Sequence, residues 1–373
     1  QATLNTQAGT LLGKTVGLTL DRVNNSGTLQ SNPTLALTLG NSLSNSGVVL
    51  AKTSLLSDSA SLTNTGTLQA NQGATINTGA LINSGKLIAS DSANHGATLN
   101  VATLDNMGGG VIQSAQNLAL NVSGNVLKNA GDLIAKNDLT LTSTGSGLTV
   151  SNQSGGYMQA GAATGDTLTV GGIAVVLNNQ ADANMLGDQL GLTLASLNNS
   201  GVIQGGIASS AISTSGVLSN TGKITLATAG SADSRIMAAS LDNQGTLQSA
   251  AGMDLTVTNA LNNAGTLLAA DDLTSNSGSL SNTGTLQANQ GAIINTGALS
   301  NSGKLLASNS ANKNATLNVA TLNNSATGVI QSAHNLAINV SGNTLSNAGG
   351  ILAENDLVLT STGSGLNVSN QVG

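Results

Sequence analysis

Apolar and polar residues alternate in short bursts along this chain, and the bursts are punctuated by one pattern, apolar-x-Asn-x-Gly. It appears first as Val23-Asn24-Asn25-Ser26-Gly27, then from Leu43 to Gly47, Leu62 to Gly66, Leu81 to Gly85, Leu104 to Gly108 and Leu127 to Gly131. It resumes at Leu197, Leu218, Leu241, Leu261, Leu280, Leu299 and Leu345, with looser versions around Asn152, Asn179, Asn324 and Asn370. Neighbouring copies are mostly 19 to 24 residues apart. Between them the period is two. Gly66-Thr67-Leu68-Gln69-Ala70 reads as a strand with one face inside, Asn71-Gln72-Gly73 as a turn and Ala74-Thr75-Ile76-Asn77 as a second strand. Thr78-Gly79 then turns again before Leu81 opens the next unit. No stretch carries a 3.6-residue apolar period with caps, so no helix is expected.

A fixed step of this size is the mark of a solenoid, in which each unit buries its apolar side against the next. The same strand recurs one step later in the same direction, so pairing must be parallel, and parallel crossovers are right-handed. The expected fold is all-β, a right-handed parallel β-helix of about 17 coils running as a single continuous body over residues 1–373. A longer period lies over the short one. Residues 61–153 align without gaps on residues 279–371, with 72 of 93 positions identical at a shift of 218. This divides the chain into a first superunit, 15–232, and a partial second, 233–373, with irregular coils at 154–189.

In register, Asn25, Asn45, Asn64, Asn83, Asn106, Asn129, Asn199, Asn220, Asn243, Asn263, Asn282, Asn301, Asn324 and Asn347 are expected to stack at one corner as a structural ladder. An amide donates and accepts, so a column of them can bond along the coil axis. The following glycine supplies a bend without a Cβ clash.

The form Leu62-Thr63-Asn64-Thr65-Gly66-Thr67-Leu68-Gln69-Ala70, and its echo at Leu299-Ser300-Asn301-Ser302-Gly303-Lys304-Leu305-Leu306-Ala307, resembles the haemagglutinin repeats of filamentous haemagglutinin and the stalks of contact-dependent inhibition exoproteins. That resemblance covers nearly the whole chain. It implies a β-helical filament segment of a very large bacterial protein exported by two-partner secretion. The implied location is secreted or on the outer cell surface, with an outer-membrane secretion partner. The implied role is to project a distal binding or toxin module towards a receptor or glycan on a host or neighbouring cell. The Asn-Pro motifs of the amino-terminal secretion domain are missing, Asn32-Pro33-Thr34 being a poor match, and no Val-Glu-Asn-Asn boundary is present.

Composition sharpens this picture. Phe, Trp and Cys are absent and Tyr157 is the single aromatic residue, so a bulky globular core is excluded and disulfides are not used. Charged residues are 7% of the chain and no apolar run reaches about 18 residues, so no membrane-spanning helix is expected. Gln1 opens no basic-then-apolar leader, which reads as an internal or processed segment. A net charge of −6 without a Lys/Arg cluster argues against nucleic acid. The expected particle is a monomeric rod.

Candidate chemistry is sparse. A carbohydrate-active β-helix enzyme would need clustered carboxylates, yet Asp271-Asp272 is the one adjacent acidic pair, and Asp91 and Asp105 become Asn309 and Asn323 in the second copy. His95 and His334 fall opposite Lys313 and Gln116. No catalytic, metal or cofactor site is therefore expected, and the chain is read as not an enzyme. A functional amyloid, suggested by low charge and Asn/Gln/Ser richness, is the other alternative. Tyr157 and Met158, in the irregular stretch, form a possible binding loop.

Overall fold

The computed structural model describes residues 2–161, 163–230 and 232–371. The ends of the 1–373 span, and Ala162 within 154–189, lie outside the described residues. The chain resolves into two compact units, Gln1–Leu194 and Ala195–Gly373. This boundary does not coincide with the 232/233 limit of the sequence repeat, because the phase of a tandem repeat along a chain is arbitrary. Both units are parallel β-solenoids, and the described residues contain no helix. Counted by their short strands, nine coils lie in the first unit and eight in the second.

A regular coil contains one long and one short strand. In the first unit Ala74–Asn83 is followed by Lys86–Ser90. The next coil repeats this as Ala97–Asn106 and Val111–Ser114. The expected turn at Thr78-Gly79 is instead a bend within one continuous strand. Ser59 pairs with Thr78 and Ser61 with Ala80, so only the corner residue leaves the ladder. Gly79 permits this because a Cβ there would meet the Ala60 carbonyl oxygen at 2.5 Å.

Pairing is parallel and in register, so like stacks on like. Leu43, Leu62, Leu81, Leu104, Leu127, Val150 and Leu177 form one column. Leu29, Val49, Leu68, Leu87, Ile112, Leu133, Met158 and Met185 form another. All of these side chains are buried. Each contributes roughly 1.5–3 kcal/mol of transfer free energy relative to exposure. The alternation in Thr67–Ala70, half-buried then buried, is the period of two read from the sequence.

The second unit repeats this plan with Ala292–Asn301, Lys304–Ser308, Ala315–Asn324 and Val329–Ser332. Four buried serine hydroxyls find no partner among the described residues: Ser57, Ser143, Ser275 and Ser325. Ser57 sits between Leu37 and Ile76, and Ser275 between Leu255 and Ile294, at equivalent places in the two units.

Candidate functional site

Eight of the nine coils of the first unit turn inward at one asparagine, and the first has Thr6 at that place. The Asn25 amide nitrogen donates to Asn45 Oδ1 at 2.8 Å, and Asn45 to Asn64 at 2.7 Å. Asn64, Asn83, Asn106, Asn129 and Asn152 continue the chain to Asn179 at 2.8–2.9 Å. The Thr6 hydroxyl donates to Asn25 Oδ1 at its start. In the second unit Asn199, Asn220, Asn243, Asn263, Asn282, Asn301, Asn324, Asn347 and Asn370 form the same array at 2.7–2.8 Å. Asn152, Asn179 and Asn370 thus stand as rungs alongside those fixed by the strict motif.

The second amide proton of the rungs from Asn25 to Asn152 and from Asn199 to Asn324 reaches the short strand of the next coil, as from Asn45 to the Thr67 carbonyl at 3.0 Å and from Asn64 to that of Lys86 at 3.1 Å. This second bond fixes which way the amides point, so the donor direction is the same along each array. Aligned amides polarise one another in a low-dielectric interior.

The glycine that follows most rungs answers to backbone proximity, whereas Ala183 holds that place after Asn179. A Cβ on Gly66 would lie 2.2 Å from the Gly47 carbonyl oxygen, and one on Gly85 2.2 Å from that of Gly66. Where the turn is longer, the stacked glycine lies four residues on. Gly110 follows Asn106, Gly156 follows Asn152 and Gly328 follows Asn324. Gly108, the glycine of the simple motif, meets nothing closer than 3.9 Å.

Tyr157 and Met158 do not form a loop. They belong to the short strand Tyr157–Gln159, paired with Asp132–Ile134 on one side and Asn184–Leu186 on the other. Alternation sends Met158 into the core, 1% exposed, and leaves Tyr157 half-buried on the outer face. Burial, and secondarily the Asp132 carboxylate, push the Tyr157 phenol above its ordinary 10.0.

Acids within and beside the irregular stretch cap its turns. Asp188 is 5% exposed and its Oδ2 accepts the Gly165 N–H at 2.9 Å. Asp138 Oδ1 accepts from Thr167 N–H and Asp166 Oδ2 from Ala163 N–H, each at 2.9 Å. Charge-assisted bonds of this kind hold loops. His95 pairs with Ser92 and His334 with Asn314, both at exposed sites. Among the described residues no three His, Cys, Asp or Glu side chains converge on a metal position. No helix there is long and apolar enough to cross a membrane.

The bend of the long strands leaves an open groove. In the first unit it spans 650 Å³ along Asn77, Thr78, Gly79, Asn100, Ala102 and Asn121. Its counterpart in the second unit, 420 Å³, runs along Thr296, Gly297, Asn318, Ala320 and Asn339. Each groove carries a second, outer amide array. Asn121 donates to Asn100, and Asn100 to Asn77, at 2.7–2.8 Å, as do Asn339 to Asn318 and Asn318 to Asn295. Asn77 ends on the Asp58 carboxylate, where the second unit has Asn276.

Stacked coils carrying an interior amide array define a repetitive β-solenoid protein. The family model described as haemagglutinin repeat matches residues 1–67, 56–100, 92–182, 227–303 and 306–370. These matches cover well over half of the chain, which belongs to the haemagglutinin-repeat family of the filamentous haemagglutinin type. Such repeats are structural or adhesive in character, and they fit a secreted or surface-associated filamentous adhesin stalk. No curated protein matches the chain, and no solved structure matches it.

Proposed function

We propose that this chain is a stalk segment of a large secreted bacterial surface adhesin or contact-dependent inhibition exoprotein, exported through an outer-membrane partner. Its work is mechanical: stacked coils carry a distal binding or toxin module away from the cell. The observation that supports this reading best is the uniformity of the amide array, rung after rung from Asn25 to Asn179 and from Asn199 to Asn370. A protein built to recognise a ligand at one place has no reason to spend the same buried geometry on every coil. Added coils touch only their neighbours, so such a stalk lengthens by duplication. The recurring groove adds weak contacts with a glycan or receptor surface, multiplied by repetition.

The test is removal of one repeat. Deleting residues 61–278 joins Ala60 to Ser279, equivalent in register to Ser61. In the parent protein on the cell surface, the deletion is expected to preserve export and target choice while shortening the reach at which the distal module engages. Loss of target recognition at unchanged reach would overturn the stalk reading. So would release of reducing ends from a polysaccharide by the purified chain.

A further inference from the structure

The outward face of the short-strand sheet in the first unit carries an ordered pattern. The third residue of each strand points out. Along the coils it reads Leu12, Gln30, Leu50, Gln69, Ile88, Gln113, Ile134, Gln159 and Leu186. Aliphatic and glutamine alternate without a break. The first residue of each strand also points out, and this column contains two charges, Lys86 and Asp132, on either side of Val111. From Gln30 to Leu186 every residue of the alternating column is half-buried, so part of each side chain remains exposed.

The strip is self-complementary. Turn a second copy about an axis through the Val111–Gln113 strand, so that the coil direction reverses and the strand direction is kept. Lys86 then faces Asp132 of the second copy, and Asp132 faces its Lys86. Ile88 meets Ile134, Gln69 meets Gln159, Leu50 meets Leu186, and Gln113 meets itself. Across these seven strands each aliphatic residue lands on an aliphatic residue and each glutamine on a glutamine, while Leu12 and Gln30 lie beyond the overlap. The seven overlapping strands, about 4.8 Å apart, by four residues of about 3.3 Å give roughly 440 Å² per copy, or about 890 Å² in all. That lies just under the area of about 1,000 Å² typical of a stable specific contact, and it suits a weak, reversible dimer. The second unit lacks the charge pairing, because Gly350 stands where the first unit has Asp132.

We propose that this face pairs with the same face of a second copy of the chain, antiparallel along the coils and centred on Val111–Gln113. This lateral contact between stalks departs from the expectation of a monomeric rod and goes beyond the stalk reading itself.

The experiment uses the full 373-residue chain. Sedimentation equilibrium across a concentration series is compared for the parent chain, Lys86→Asp, Asp132→Lys, the double variant, and an equimolar mixture of the two single variants. Circular dichroism confirms that each remains folded. Each single reversal sets like charges against each other twice in the dimer and is expected to weaken association about tenfold. The double variant, and the mixture, restore opposite charges and are expected to recover it. Recovery in the mixture distinguishes a contact between copies from a change within one. Because the chain has no cysteine, Gln113→Cys treated with a short bismaleimide is expected to link to its own copy, while Gln69→Cys links only to Gln159→Cys. A parent chain that stays monomeric throughout overturns the proposal. So does a dimer indifferent to both reversals, or Gln69→Cys linking to itself as readily as Gln113→Cys.

Discussion

Leu139 and Leu141 in the first unit have exact counterparts by sequence in Leu357 and Leu359 of the second. The first pair is 1% and 2% exposed, and the second 49% and 43%. Val150 and Val368 differ in the same way, 0% against 46%. Local sequence is nearly the same and strand geometry is the same. What differs is that Leu139–Ser143 is covered by Thr167–Gly172, whereas Leu357–Ser361 is the last coil among the described residues. In a solenoid the inward-facing residue supplies the apolar surface, and the next coil supplies its burial. Stability is then a sum of coil and neighbour contributions.

That comparison can be broken by substitution, and the largest effect is expected on the amide array. Asn83→Ala strands the Asn64 donor and the Asn106 acceptor inside the first unit, at a cost of roughly 3–5 kcal/mol. Asn370→Ala, which removes only the acceptor of Asn347 at the last rung, should cost about 1 kcal/mol. Urea unfolding of both variants checks the contrast, and equal losses would refute it.

Next in size is the core. Leu141→Ala leaves a cavity between Leu120 and Val170 and is expected to cost about 2–5 kcal/mol, while Leu359→Ala should stay below about 1 kcal/mol. The same urea titrations report it.

The unpartnered hydroxyls run the other way. Ser57→Ala and Ser275→Ala remove a buried polar group that bonds to nothing among the described residues, so each should stabilise the chain by about 1 kcal/mol. Destabilisation at both sites would show that the hydroxyls are satisfied.

The smallest effect is spectroscopic. Tyr157 is the sole tyrosine, so phenolate absorbance reports one group, and its midpoint should lie above 10.0. Asp132→Asn should lower that midpoint part of the way, since burial is the larger cause. The raised phenol holds its proton longer when folded. Its contribution to stability is therefore complete below the ordinary tyrosine range and fades as pH climbs through the folded midpoint.

Much of the fold was legible because one period governs the chain. The step between Asn45, Asn64 and Asn83 announces the coil, and the alternation in Thr67–Ala70 announces which side chains point inward. Other features depend on three-dimensional proximity that a linear motif does not encode. Asn152 lacks a glycine two residues on, and its stacked glycine is Gly156 after a longer turn. The outer array of Asn77, Asn100 and Asn121 is spaced by unequal coil lengths, although Asn77 and Asn100 each stand six residues before an inner rung. The bend at Gly79 looked like a turn because the sequence shows the glycine, while the Ala60 carbonyl that requires it lies one coil away. Met158 followed the alternation of its strand into the core even though its surroundings broke the rhythm.

The central claim is that the inner asparagines bond to one another from coil to coil. Hydrogen exchange of asparagine side-chain amides, followed by NMR on a chain labelled at asparagine, tests it most directly. Two populations are predicted: slow amides from the rungs Asn25 to Asn152 and Asn199 to Asn347, and fast ones from exposed sites such as Asn94 and Asn312. A single population exchanging at the rate of free asparagine would contradict it.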